Sequence, residues 1–323
     1  MTQERDHGGD LAQAIAEYGG RPEDWLDLST GINRAPYPVG KIKDISWRSL
    51  PGSAERTALI QAAQAAYQTN WPLLPLAGAQ AAIQLIPQCL PIGQARILGP
   101  TYNEFAGALT TFGWDVETVD SIDAMEGADL AIIVNPNNPT GESFKPEQLI
   151  ELANSVGTLL IDESFADATP EISVLKAEPQ KNVLVLRSFG KFFGLAGVRL
   201  GFLAGQTETL EKAAVTAGPW AVSGPALEIG MQALSDLDWQ NATRLRLAED
   251  RKRLETILIS TGWTTIGSTH LFALLETPDA IEAQRQLAQA HIWSRIFPYS
   301  GTWLRLGFPG TEMEWQRLVN AIN

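Results

Sequence analysis

The chain has 323 residues, 45% hydrophobic and 19% charged, a balance that suits a folded enzyme with one large and one smaller domain and excludes a disordered chain. Its 24 Lys and Arg face 37 Asp and Glu, a net charge of −13, which excludes nucleic acid as a general partner but leaves room for a local basic pocket that takes a small anion. The single cysteine, Cys89, excludes an internal disulfide and points to a reducing cytoplasm.

Met1 to Asp10 is polar and lacks the apolar core of a secretory signal. Thr57 to Ala95 carries no charge, but seven Gln and four Pro interrupt it, so it reads as buried Ala-rich core and not as a membrane span. Inside it, Gly78-Ala79-Gln80 precedes a helical run, Ala81 to Leu85. Arg96 to Gly99 reads as a strand, Tyr102 to Gly113 as a helix, and Leu130 to Val134 as a buried strand halted by Asn135-Pro136. Pro146 to Ser155 is helical, with proline in its first turn. Thr158 to Ile161 and Val183 to Leu186 are two more buried strands, ending at Asp162-Glu163 and Arg187-Ser188. Runs apolar on both faces belong to a mostly parallel central sheet covered by helices, an α/β fold. After about Gly224 the pattern changes. Asn241 to Ser260 (helix), Leu271 to Leu275 (strand), Ala280 to Ala290 (helix), Trp303 to Gly307 (strand) and Glu312 to Ile322 (helix) read as a smaller α+β unit.

Asn135, Asp162 and Ser188 stand just beyond strand ends, the edge where open α/β sheets bind ligands. Lys191 is flanked by Phe189, Phe192 and Phe193. Desolvation there would favour a neutral, nucleophilic amine fit for a Schiff base with a carbonyl cofactor, although a surface lysine among core aromatics gives the same string. Asp162 equally suits a cap, and Asn138 a turn. Gly78-Ala79-Gln80 would offer backbone N–H groups at a helix N-terminus, an anion site, or simply turn a strand into a helix. Arg305 lies inside an apolar strand, where a guanidinium is rarely idle, and its fork suits a carboxylate or phosphate. Ser188-x-x-Lys191 also matches a β-lactamase pattern, but the Ser-Asp-Asn and Lys-Thr-Gly that must accompany it are absent from the sequence. No dinucleotide or Walker loop appears, and His7, His270 and His291 lack metal-ligand spacing.

Asn135-Pro-Asn-Asn138-Pro139-Thr140-Gly141, then Asp162, then Ser188-Phe-Gly-Lys191-Phe-Phe-Gly-Leu-Ala-Gly197, then Arg199, resembles the fold-type I pyridoxal-phosphate (PLP) enzymes of the class I and II aminotransferase family. More narrowly it is similar to the histidinol-phosphate aminotransferase branch. His7-Gly8-Gly9-Asp10 and Leu28-Ser29-Thr30-Gly31-Ile32-Asn33 resemble, within that branch, the threonine-phosphate decarboxylases of cobalamin biosynthesis. The resemblance implies a homodimer with an N-terminal arm and small-domain segment (1–35), a large PLP-binding domain (36–224) and a small C-terminal domain (225–323). It gives Lys191 the cofactor aldehyde and proton transfer, Asp162 the pyridine nitrogen, Asn138 the phenolic oxygen, and Tyr102 a stack on the ring. Gly78, Ala79, Gln80, Ser188 and Arg199 would hold the cofactor phosphate. His7, Gly8, Gly31, Asn33, Asn138 and Arg305 would approach the substrate. The implied reaction converts O-phospho-L-threonine to (R)-1-amino-2-propanol O-2-phosphate; transamination of histidinol phosphate or a similar phosphorylated amine is the alternative. The same residues serve either outcome, because the choice lies in which substrate bond is held perpendicular to the ring. Two positions depart from the pattern: Phe165 and Leu50 stand where relatives often have tyrosine.

Overall fold

The computed structural model describes residues 8–259 and 261–322. The chain divides into two compact units: residues 37–138 with 142–241, and residues up to 36 with 139–141 and those from 242 onward.

The larger unit is built on a seven-stranded sheet. In chain order its strands are β1 (Leu73–Leu76), β2 (Gln94–Leu98), β3 (Asp115–Val119), β4 (Leu130–Val134), β5 (Thr158–Asp162), β6 (Val183–Ser188) and β7 (Gly201–Ala204). Across the sheet they run β1-β7-β6-β5-β4-β2-β3. β7 is antiparallel to both neighbours and the other pairings are parallel. On one face Leu160, Leu184, Leu186 and Leu203 pack with Ile83 and Ile86 of helix Ala79–Cys89 and with Phe105 and Leu109 of helix Glu104–Thr111. On the other face Leu159, Ile161 and Val185 are also buried, and helix Pro146–Ala153 packs beside β5. This two-sided cover is why β4, β5 and β6 stand out as apolar runs. β3 does not, because it is a half-exposed edge carrying Asp115 and Glu117. β1 and β7 are each only 4 residues long, too short to show a period.

The larger unit takes in helix Gly224–Ser235, beyond the boundary placed near 224. That helix buries Leu227 and Ile229, and Gly230 lies so close to Leu59 and Leu200 that a Cβ would stand 2.8 Å and 2.5 Å from their methyl carbons. The division between units falls later, at 241/242, inside helix Leu237–Leu258. No change of composition marks it.

The smaller unit holds a four-stranded antiparallel sheet, β8 (Thr264–Ser268), β9 (Phe272–Glu276), β10 (Arg295–Phe297) and β11 (Ser300–Gly307), in the order β10-β11-β9-β8. Leu304 and Leu306 of β11 join Leu254, Leu275, Leu287, Trp315 and Leu318 in its core. Strand alternation turns Arg305, between them, to the opposite face. A two-residue parallel pairing of Leu26–Asp27 with Ile292–Trp293 ties the N-terminal segment to this unit. Among the described residues no helix is long and apolar enough to cross a membrane, and no group of three or more His, Cys, Asp or Glu could hold a metal ion.

Candidate active site

Sheet register gathers the larger unit's polar residues at one edge. Val134 pairs with Asp162, Asp162 with Leu186, and Gly201 with both Ser188 and Leu76. The ends of β1, β4, β5 and β6 therefore lie side by side. Lys191 follows β6 on the one-turn helix Phe189–Phe192. This turn is anchored by aromatic packing: Phe189 stacks on Phe193 with centroids 4.5 Å apart, and Phe193 stacks on Trp239 at 5.7 Å. Phe189, Phe192 and Phe193 are fully buried while Lys191 is half-buried, its Nζ 5.5 Å from the centre of the Phe165 ring.

Asp162 is buried. Its Oδ1 accepts hydrogen bonds from the Ser164 N–H at 2.9 Å and the Ser164 hydroxyl at 2.5 Å. Burial pushes the Asp162 carboxyl up, against the Ser164 hydrogen bonds and the positive charges of Lys191 and Arg187. Asn138 lies in the loop after β4, which runs to helix Pro146–Ala153. Asn135 fixes that loop by donating to the Phe144 carbonyl at 3.1 Å and accepting the Phe144 N–H at 2.8 Å. Tyr102 is half-buried, with its hydroxyl 3.3 Å from Gln80 Oε1; the Gln80 amide also donates to Glu104 at 2.7 Å.

Gly78 caps helix Ala79–Cys89 from the left-handed region, at φ 85°, and no side chain caps that helix. A Cβ on Gly78 would stand 2.8 Å from Arg199 Nη2, so the guanidinium lies directly against the helix N-terminus. Arg199 is itself left-handed, at φ 54°, and Nη1 donates to the Ala196 carbonyl at 3.2 Å. Gly201 pairs with both Ser188 and Leu76, and a Cβ on it would stand 2.5 Å from the Ala79 nitrogen, so the end of β6 lies beside the same helix end.

The smaller unit brings four of the substrate candidates around the loop that contains Ser29. Arg305 is buried; its Nη2 donates to the Ser29 carbonyl at 2.5 Å, and its Cζ lies 5.1 Å over the Phe272 ring. Gly8 packs on that same carbonyl: a Cβ there would be 2.7 Å from Ser29 O. The next N–H, that of Gly9, donates to Ser29 Oγ at 2.8 Å. Gly31 and Asn33 lie two and four residues beyond Ser29, both buried. His7 falls outside the described residues. Arg295 sits directly across the sheet from Arg305. Burial first, and the Arg295 charge second, lower the Arg305 pKa to about 10. Two guanidinium groups opposite one another repel, and an anion between them removes the repulsion.

A model of the family Aminotransferase class I and II matches residues 54–322. The chain belongs to that family. Threonine-phosphate decarboxylase of Sinorhizobium sp is 44% identical over 324 residues, 98% of this chain and 97% of that protein. Threonine-phosphate decarboxylase of Pseudomonas aeruginosa is 39% identical over the same shares. The crystal structure of histidinol-phosphate aminotransferase from Sinorhizobium meliloti in complex with pyridoxal-5'-phosphate superposes with a TM-score of 0.82 at 18% identity, covering 97% of this chain and 93% of that one, a likeness of fold.

The residues of this member of the class I and II aminotransferase family fit PLP. An amine, a buried carboxylate and an uncapped helix N-terminus with a guanidinium against it match an aldehyde, a ring nitrogen and a phosphate. The carboxylate is informative. A carboxyl that burial pushes toward the neutral form becomes an anion again beside a protonated ring nitrogen, and the same pairing keeps that nitrogen protonated. Arg199→Ala is expected to raise the Kd for PLP by about 10- to 100-fold, the weight of one charged hydrogen bond. Equilibrium dialysis with PLP measures it, and an unchanged Kd would remove Arg199 from the phosphate site.

Sequence reasoning passed over three groups. Ser164 is two residues from Asp162 and holds it, in an Asx-type turn that Asp-x-Ser announces. Arg295 lies on a strand of 3 residues, too short to reveal that it faces Arg305. Arg187 stands inside an apolar strand, the signal that marks Arg305, and makes a buried ion network with Glu163 and Asp167. Of the two departures, Phe165 is buried against Lys191 and Leu50 is exposed.

Proposed function

We propose that this chain is a PLP-dependent decarboxylase that converts O-phospho-L-threonine to (R)-1-amino-2-propanol O-2-phosphate, a precursor in cobalamin biosynthesis. The observation that carries it is the likeness, over nearly the whole chain, to threonine-phosphate decarboxylases at 44% and 39% identity. PLP, when bound, supplies an aldehyde that condenses with amines and a ring that accepts the electron pair released when a bond to the substrate's α-carbon breaks. Lys191 Nζ would hold that aldehyde and would deliver the proton that replaces the departing carboxylate. Asp162 would keep the ring nitrogen protonated. Asn138 would serve the phenolic oxygen and Tyr102 the ring. Gly78, Ala79, Gln80, Ser188 and Arg199 hold the cofactor phosphate. Arg305, with Arg295 across the sheet, takes an anionic group of the substrate, and His7, Gly8, Gly31 and Asn33 approach the same molecule. The enzyme works in the cytoplasm as a homodimer. Its buried free Cys89 suits that compartment, and the exposed Ile45, Trp47 and Leu50 offer an apolar face to a second copy.

The deciding experiment adds O-phospho-L-threonine to PLP-loaded protein without any keto acid and follows released CO2 together with the cofactor spectrum. Sustained CO2 with the aldehyde form regenerated is the expected result. Conversion to the amine form without CO2 would make the chain an aminotransferase, with histidinol phosphate the next substrate to try. A colourless protein indifferent to PLP would overturn both. Arg305→Ala is expected to raise the KM for the phosphorylated substrate by about a hundredfold, since a charged hydrogen bond is worth roughly 1.5–3 kcal/mol. Steady-state kinetics check it, and an unchanged KM would clear Arg305 of the role.

A further inference from the structure

Two consecutive carboxyl groups, Asp162 and Glu163, stand at the end of β5, both buried, and the fold treats them differently. Glu163 has both oxygens engaged. Its Oε1 accepts the Val174 N–H at 2.8 Å, and Oε2 accepts the Ser173 hydroxyl at 2.5 Å and Arg187 Nη1 at 2.9 Å. Asp162 receives both of its hydrogen bonds on one oxygen: the Ser164 N–H and the Ser164 hydroxyl reach Oδ1 at 2.9 Å and 2.5 Å. Among the described residues no hydrogen bond reaches Oδ2, although Asp162 is only 4% exposed. A bare carboxylate oxygen in the interior is costly. Oδ2 is not sealed in, however. It does not belong with the side-chain atoms, such as Ser294 Oγ, that are inaccessible and without a partner, so the accessible part of Asp162 includes this oxygen. The chain holds Asp162 by one oxygen and keeps the other for a group that is not its own.

The Ser164 hydroxyl makes this carboxyl a directed one. The last torsion of an aspartate side chain is broad and roughly twofold, so a single N–H leaves the plane of the group free to rock and its two oxygens close to equivalent. A second donor from the same residue fixes the plane and occupies Oδ1. It also stabilises the anion against a burial that favours the neutral acid. We infer that Ser164 is a positioning residue for the cofactor: its hydroxyl and N–H together engage Asp162 Oδ1, so that Oδ2 is the oxygen presented to the pyridine nitrogen of PLP. This rests on the reading that Asp162 meets that nitrogen. The hydroxyl is committed to Oδ1, so Ser164 acts through Asp162 and not on the cofactor itself.

The test measures Kd by equilibrium dialysis for PLP and for the PLP analogue that carries C–H in place of the ring nitrogen, with which Asp162 has nothing to pair. Ser164→Ala keeps the N–H and loses the hydroxyl. Its Kd for PLP is expected to rise by about tenfold, the low end for one charged hydrogen bond, and its Kd for the analogue to rise by no more than about twofold. Ser164→Thr, which keeps the hydroxyl, is expected to recover part of the affinity for PLP. In an Asp162→Ala background Ser164→Ala is expected to add nothing. A merely structural serine would weaken both ligands alike. Equal losses for PLP and the analogue, an unchanged Kd for PLP in Ser164→Ala, or an equal loss with and without Asp162 would each overturn the inference and leave Asp162 in place. Wild type that binds PLP and the analogue equally would overturn the reading of Asp162 and this one together. Should Ser164→Ala not fold, Ser164→Cys, close in shape and only a weak donor, replaces it under the same criteria.

Discussion

Lys191→Ala is expected to abolish the borohydride-reducible link to PLP and to lower CO2 release by roughly four orders of magnitude, the upper range for a positioned proton-transfer group. The fold should survive. Lys191 is half-exposed at the end of a one-turn helix, and the side chains that pin this turn are its buried neighbours Phe189, Phe192 and Phe193 with Trp239. Alanine is the best helix former, so nothing in the backbone opposes the change. The thermal midpoint should therefore stay near that of the wild type while the chemistry disappears. Lys191→Arg sharpens the test. It keeps the positive charge near Asp162 and Phe165 but lacks an amine that deprotonates, so charge alone should rescue little. Absorbance, borohydride reduction and CO2 release measure the three consequences. Turnover within tenfold of wild type in Lys191→Ala would displace this lysine from the centre of the mechanism.

How much of this was legible in the sequence depends on the physical origin of each feature. β4, β5 and β6 are covered on both faces, so their strings are continuously apolar and show up as strands with no further help. β3 and β8 are edges, half in water, and their strings, Asp-Val-Glu-Thr-Val and Thr-Thr-Ile-Gly-Ser, carry no such run. Helix Gly224–Ser235 lies past the change in composition near 224 but packs with Leu59 and Leu200, a fact about tertiary contact that no linker announces. At the site, Lys191, Asp162 and Asn138 were legible because each sits at a strand end within a short string. Asn33 and Arg246 are 213 residues apart, and only the fold reveals that they are hydrogen-bonded. The facing of Arg295 and Arg305 is equally a matter of strand register. Local strings thus marked the residues proposed to perform chemistry, while the groups that pack on them came from long-range contacts.

Arg187→Met is expected to destabilise the folded chain by about 3–5 kcal/mol, the range for breaking a buried ion pair by removing one partner. The side chain is 2% exposed; Nη1 pairs with Glu163 at 2.9 Å, Nη2 with Asp167 at 2.6 Å, and Cζ lies 4.3 Å over the Tyr67 ring. Methionine matches the stem and leaves both carboxylates buried without the guanidinium. The deficit should depend on pH in a definite direction. Burial already pushes the Glu163 carboxyl up, with the Arg187 charge opposing it. Without that charge the folded-state value rises further, so the folded variant binds more protons than its unfolded chain. Its stability must then fall as pH rises above the ordinary carboxylate range, and the gap to wild type should be wider at about pH 8 than at about pH 5. Urea unfolding at the two pH values measures it; a gap below about 1 kcal/mol, or one that does not move with pH, would overturn the assignment. Adding Glu163→Gln should restore part of the loss, because it removes one of the stranded charges. Strand alternation points Arg187 to the face opposite Leu186 and Ser188, away from the side that carries Asp162 with Leu160, so it reaches Asp162 only as the weakest of the charges and hydrogen bonds that act on that carboxyl. Folded Arg187→Met, assayed at low temperature, should therefore keep a kcat near that of the wild type, in contrast to Lys191→Ala, which should keep the stability and lose the turnover.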